Sequence, residues 1–64
     1  MIDADLPDEV LMREYLEMNK AGFDKVFGAN ARRRGNEIAD ELLRRGITEI
    51  PNIFSPIKVR RWTW

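Results

Sequence analysis

A chain of 64 residues with no Cys and no His cannot hold its fold with a disulfide or an ordinary Cys/His zinc site. Its 11 Lys and Arg balance its 11 Asp and Glu, so it is not a polycation that coats nucleic acid through bulk charge. Ser55 is the one serine, and with no Cys or His beside it the usual nucleophile-plus-base arrangements lack their parts.

The charge is sorted along the chain. The first twenty residues carry the acids Asp3, Asp5, Asp8, Glu9, Glu14 and Glu17 against Arg13 and Lys20. The remainder is basic on balance and includes Arg32-Arg33-Arg34, Arg44-Arg45 and Arg60-Arg61. Such a dipole suits pairing with a copy of itself, with a partner protein, or with phosphate at its basic end. A chain this short buries only about 60% of its unfolded surface, so its core is marginal. With disulfide and metal excluded, a homo-oligomer or docking on a larger partner is the expected staple.

Taken in order, residues 5–10 read as a helix start. Pro7 suits the first turn, where its missing N–H is not needed, and Asp8 and Glu9 complement the positive end of the helix dipole. Leu11, Tyr15 and Met18 recur at helical spacing, with Val10, Met12 and Leu16 widening the stripe. Ala21-Gly22 is a plausible stop, although Phe23, Val26 and Phe27 continue the apolar pattern into a kinked continuation or a short further helix.

Gly28-Ala29-Asn30 is the clearest internal break, with Asn30 expected as the N-cap of the next helix. Over 31–45 the small or apolar residues Ala31, Gly35, Ile38, Ala39, Leu42 and Leu43 form one helical face. Gly35 on that face lets another backbone approach closely. Arg44 and Arg45 suit the last turn, and Gly46 sits where a C′ glycine belongs. Beyond it, Pro51 and Pro56 forbid a long helix. The expectation is an extended segment laid over the helices, anchored by Ile47, Ile50, Ile53, Phe54 and Ile57, with 57–64 a short strand or a tail.

The predicted fold is therefore a single all-α domain. Two or three short helices form a hairpin over 1–46, and 47–64 is an irregular or extended Ile/Pro-rich segment. No apolar run approaches the roughly 18 residues needed to span a bilayer. The acidic start is unlike a signal peptide, so a cytoplasmic protein of a bacterial cell or a phage is expected. Gly28 and Gly35 are wrongly placed for a phosphate loop. A core this small leaves little room for a closed pocket, so no enzyme activity, cofactor or small-molecule substrate is expected. The acids at 3–9 lack the glycine and terminal Glu of a calcium loop, and no metal site is expected.

The arginines point to phosphate. Arg33 precedes Glu37 by four residues, Asp40 precedes Arg44, and Glu41 precedes Arg45, which accounts for three cations as surface ion pairs. Four residues beyond Arg32 and Arg34 stand Asn36 and Ile38, which are not acids. Near a helix start these two are candidates for an external anion, or for a carboxylate of the acidic first helix. In the tail, Lys58, Arg60 and Arg61 interleave with Trp62 and Trp64. That mixture marks binding hot spots and supports base stacking. In so small a protein the two Trp equally suit folding back onto the core or onto a second subunit.

Leu6-Pro7-Asp8-Glu9-Val10, with Asn36-Glu37-Ile38 in a later helix, resembles the ribbon-helix-helix DNA-binding proteins. The resemblance implies a ribbon at Ile2-Asp3-Ala4-Asp5, where this chain departs by placing aspartates that repel DNA. Residues 37–47, with Arg61-Trp62-Thr63 beyond, are similar to the helix-turn segment of serine-recombinase linker domains. Neither resemblance carries site residues over. The reading is a small nucleic-acid-associated regulatory module contacting phosphate through Arg32, Arg34, Lys58, Arg60 and Arg61, with Trp62 and Trp64 as interaction residues. The alternative is a protein-binding adaptor or inhibitor acting through its acidic helix or Arg/Trp tail.

Overall fold

The computed structural model describes residues 5–63. Two helices, α1 (Asp8–Ala21) and α2 (Gly28–Arg44), are followed by two short strands, β1 (Glu49–Ile50) and β2 (Ile57–Lys58). Cross-helix partners run in opposite directions along the two helices: Asp8 meets Arg45 and Glu14 meets Arg34, while Gly22 O accepts from Arg32. The helices therefore form an antiparallel hairpin.

Pro7 stands immediately before α1 in an extended conformation, and its carbonyl accepts the N–H groups of Val10 and Leu11 at 3.1 and 3.2 Å. Asp8 and Glu9 occupy the first turn and Lys20 the last, the arrangement that the helix dipole favours. Reversal into α2 is built by Asp24, whose carboxylate oxygen accepts the N–H groups of Val26 and Phe27, both at 2.7 Å. Asp24 O then accepts the Gly28 N–H at 3.1 Å. The approach is tight: a Cβ on Gly28 would stand 2.8 Å from Gly22 O. These contacts start α2 two residues before Asn30, which is thus helical rather than the expected cap, and Phe27 precedes the helix without a side-chain cap.

Beyond α2, Gly46 takes φ 84°, its N–H bonds to Leu43 O at 3.0 Å, and the Ile47 N–H bonds to Leu42 O at 2.9 Å. This is the double closure that a left-handed C′ glycine permits. The chain then forms an antiparallel ribbon pairing Glu49 with Lys58 and Ile50 with Ile57, extended by a Val59 N–H bond to Thr48 O at 2.9 Å. The chain is mostly helical with the expected hairpin, and the two-stranded ribbon is added to it by the C-terminal segment. Pro51 and Pro56 bracket the connecting loop and the two isoleucines pair across it, so the segment doubles back instead of running straight.

The core is Leu11 and Tyr15 from α1, Ile38, Ala39 and Leu42 from α2, and Ile50 and Val59 from the C-terminal segment. Leu6, Met12, Leu16, Met18, Ile47 and Ile57 pack around it, half-buried. Full burial of Leu11, Ile38 and Leu42 stabilises the fold by about 1.5–3 kcal/mol for each side chain. Two expected anchors fail: Ile53 and Phe54, at the ribbon tip, are each 91% exposed. Among the described residues, no helix is long and apolar enough to cross a membrane.

Candidate nucleic-acid interface

After β2 the chain runs as an extended strap, residues 59–62, across the helix pair. Val59 points inward and is buried, while Lys58 and Arg60 on either side of it are exposed. One polar side chain from each helix holds the strap. The Tyr15 hydroxyl of α1 accepts the Arg60 N–H at 3.0 Å and lies 3.2 Å from Arg60 O, to which it donates. Asn36, the buried polar residue of α2, accepts the Trp62 N–H at 2.5 Å and donates to Trp62 O at 3.2 Å. Both main-chain groups of Trp62 are thus satisfied by one amide, as a neighbouring strand would satisfy them.

Trp62 lies in a slot that Gly22 leaves open, with Gly35 along its side. A Cβ on Gly22 would come within 2.6 Å of its ring, and one on Gly35 within 3.7 Å of its indole nitrogen. Gly35 does not meet the close approach expected of it: a Cβ there would sit in ordinary van der Waals contact with Met18 and Trp62, and it is Gly22 that the ring crowds. Phe23 meets the ring edge-on, with centroids 5.1 Å apart and planes at 73°. The Arg32 guanidinium carbon lies 5.7 Å from the ring centroid, and its Nη1 donates to Gly22 O at 2.7 Å. Arg32 thereby braces the Trp62 slot, at the N-terminal end of α2. Of the two tail tryptophans, Trp62 folds back onto the helices, half-buried; Trp64 lies outside the described residues.

Tyr15, Asn19, Lys58, Arg60, Arg61, Trp62 and Thr63 line an open groove of about 250 Å³ beside the strap. Arg61 is bound to Asp40 at 3.0 Å, with both side chains more than half exposed. Among the described residues, Lys58 and Arg60 make no ion pair. The structure thus gathers Lys58, Arg60 and Arg61 at one groove and sets Arg32 against the Trp62 ring.

Arg34 is placed differently. Its Nε and Nη2 contact Glu14 of α1 at 3.0 and 2.9 Å, and its Nη1 lies 3.5 Å from Glu37. The carboxylate of the acidic first helix therefore takes this guanidinium. The pairs expected along α2 are likewise partly rearranged. Glu41 does hold Arg45, at 2.8 Å, but it also binds Arg44, the expected partner of Asp40, leaving Asp40 to Arg61. Arg45 further reaches Asp8 at 2.7 Å and Leu6 O at 2.6 Å, tying the end of α2 to the start of α1. Hydrogen bonds from Arg44 and then Arg45 pull the Glu41 carboxyl down to about 2. The backbone N–H groups of Phe27 and Val26 lower the Asp24 carboxyl.

Sequence reasoning missed the two residues that secure the strap. Asn36 had a visible signal, a polar side chain next to Gly35 on the inward face of a helix. Tyr15 was read only as part of an apolar stripe, because its hydroxyl partners lie more than forty positions away. No protein-family model, no curated protein and no solved structure matches this chain.

Proposed function

We propose that this chain is a small, non-enzymatic regulatory module of the cytoplasm that associates with nucleic acid through the basic edge of its C-terminal segment. The observation that carries this reading is the gathering of Lys58, Arg60 and Arg61 along one open groove, where Lys58 and Arg60 make no ion pair among the described residues, although Glu49 stands across the ribbon from Lys58. Alternate residues of an extended chain point the same way about 6.6 Å apart, so these two cations present a fixed pair to an anionic backbone. Arg32 supports the site from behind Trp62. Arg34 contributes less, because Glu14 already neutralises it. Pairing with a second copy, which a core this small favours, would double the basic edge.

A salt titration of oligonucleotide binding tests the reading. Affinity falls steeply between roughly 50 and 200 mM salt, and Lys58→Ala and Arg60→Ala each lower the log–log slope by about one. Absence of binding at low salt would sink it.

A protein-binding adaptor or inhibitor is the second reading, favoured by Ile53 and Phe54, which stand 91% exposed on the loop between Pro51 and Pro56. On that reading, serine at both positions abolishes partner capture and leaves oligonucleotide binding unchanged.

A further inference from the structure

The connector between the helices carries three large apolar side chains that pack little. Phe23, Val26 and Phe27 are 76%, 77% and 71% exposed. The turn itself does not require them: the Asp24 carboxylate and the close approach of Gly22 and Gly28 already close it. Polar residues would complete the same turn at lower solvation cost. The rings therefore serve something outside the fold.

Their surroundings define its chemistry. Phe23 touches Trp62 edge-on, so the exposed knuckle is continuous with the groove lined by Lys58, Arg60 and Arg61. Lys20 in the last turn of α1 and Lys25 on the connector flank it, both exposed and without an ion pair among the described residues. The opposing charge is the exposed Asp24, whose carboxylate is engaged by the N–H groups of Val26 and Phe27. Flat rings bordered by cations fit an anionic polymer whose own flat rings are accessible.

A duplex hides its base faces and shows only edges, which are read by a helix or a ribbon lying in a groove. Here the ribbon strands are two residues each, and Arg34, Arg44 and Arg45 of the α2 region are held by carboxylates.

Resting on the nucleic-acid reading above, we propose that the ligand is single-stranded: its bases stack on Phe23 and Phe27, and its phosphates follow Lys58 and Arg60 past Trp62. The test compares a fluorescent oligothymidine with the same strand annealed to its complement, at equal salt, by anisotropy. The single strand binds about tenfold or more tightly. The double variant Phe23→Ala/Phe27→Ala weakens it by about five- to a hundredfold, with the salt slope unchanged. Phe23→Trp retains affinity and Phe23→Leu does not. All these side chains are exposed, so circular dichroism of the variants matches the parent.

Equal or tighter duplex binding, or an unaffected alanine variant, overturns the single-strand inference; the broader reading survives if Lys58→Ala and Arg60→Ala still flatten the salt slope. A fall in solution mass on mutating the knuckle, without loss of single-strand affinity, makes it an interface between copies and likewise overturns the inference. Failure of both probes to bind at low salt overturns the two readings together.

Discussion

The arginines around α2 and the cations of the strap are the same kind of residue under different constraints. Around α2, Arg34 meets Glu14, Arg44 and Arg45 share Glu41, and Arg45 also reaches Asp8. At the end of β2 and on the strap, Lys58 and Arg60 flank buried Val59 and are exposed, and among the described residues Arg61 pairs with the exposed Asp40. A count of basic residues would rank the arginine-rich helix as the binding element. Ion pairing ranks them differently: Arg34, Arg44 and Arg45 are bound to carboxylates, whereas Lys58 and Arg60 make no ion pair among the described residues, even with Glu49 across the ribbon from Lys58. Arg34 and Arg45 tie the basic second helix to Glu14 and Asp8 of the acidic first one.

The strongest way to break this contrast is to remove the scaffold that both regions share. Leu42 is fully buried on α2 between the helix pair and the C-terminal segment. Leu42→Ala is expected to cost about 2–5 kcal/mol, which is a large part of the stability of so small a domain. Urea denaturation followed by circular dichroism measures it. A loss below about 1 kcal/mol would mean that the strap, rather than the helix pair, carries the fold.

The next effect separates strap from scaffold. Asn36→Ala leaves the N–H and C=O of Trp62 without their amide partner, at a cost of about 1–3 kcal/mol. Indole emission should shift to the red as Trp62 leaves its slot, while helix content persists. Oligonucleotide affinity should fall as well, because the groove loses one wall. A variant that unfolds in a single step with the helices would show that strap and hairpin are one cooperative unit.

How much of this was legible depended on the range of the interaction. The stripe of Gly35, Ile38, Ala39 and Leu42 and the stop at Gly46 were readable because both are local: a 3.6-residue period and one glycine at φ 84°. A short strand beginning at Ile57 was among the expectations and β2 lies there, but its partner β1 was not read, because two residues are too few to show alternation. Ile53 and Phe54 were misplaced because apolar character suggests burial, whereas Pro51 and Pro56 bracket a loop that projects away from the core. Asn30 lost the helix start to Asp24, an acceptor six residues earlier. For Arg34, a carboxylate of the acidic first helix was one of the expected partners, but which one, Glu14 twenty positions away, lay beyond any same-helix pairing rule. The gathering at the groove was legible in composition and only half legible in geometry. Lys58, Arg60 and Arg61 were recognisable as a basic tail, but nothing local revealed that Tyr15 and Asn36 would pin it.

A smaller effect sharpens the assignment of Arg34. The Glu14 pair is about one-third exposed on both sides, so Glu14→Gln should change stability by no more than about 1 kcal/mol. If phosphate is the ligand, releasing Arg34 from its carboxylate should tighten oligonucleotide binding and steepen the salt slope by up to about one. An unchanged slope would place Arg34 outside the interface and confine binding to the strap.

The smallest expected effect concerns acid. Glu41 has its carboxyl lowered from 4.5 to about 2 by Arg44 and Arg45, so it binds protons less readily in the folded chain than in the unfolded one. Its contribution to stability is therefore complete above about 4.5 and is lost as pH falls through about 2. Asp24, lowered by the N–H groups of Phe27 and Val26, acts in the same direction at the other end of α2. Thermal midpoints measured from neutral pH down to acid should decline in that window. In Glu41→Gln the neutral-pH midpoint should be lower and the acid decline shallower. Because the pair ties α2 to α1 through Arg45, the change should appear in helix melting and leave salt-dependent oligonucleotide binding at neutral pH close to the parent; a large shift in binding would move Arg44 or Arg45 from the scaffold to the ligand face.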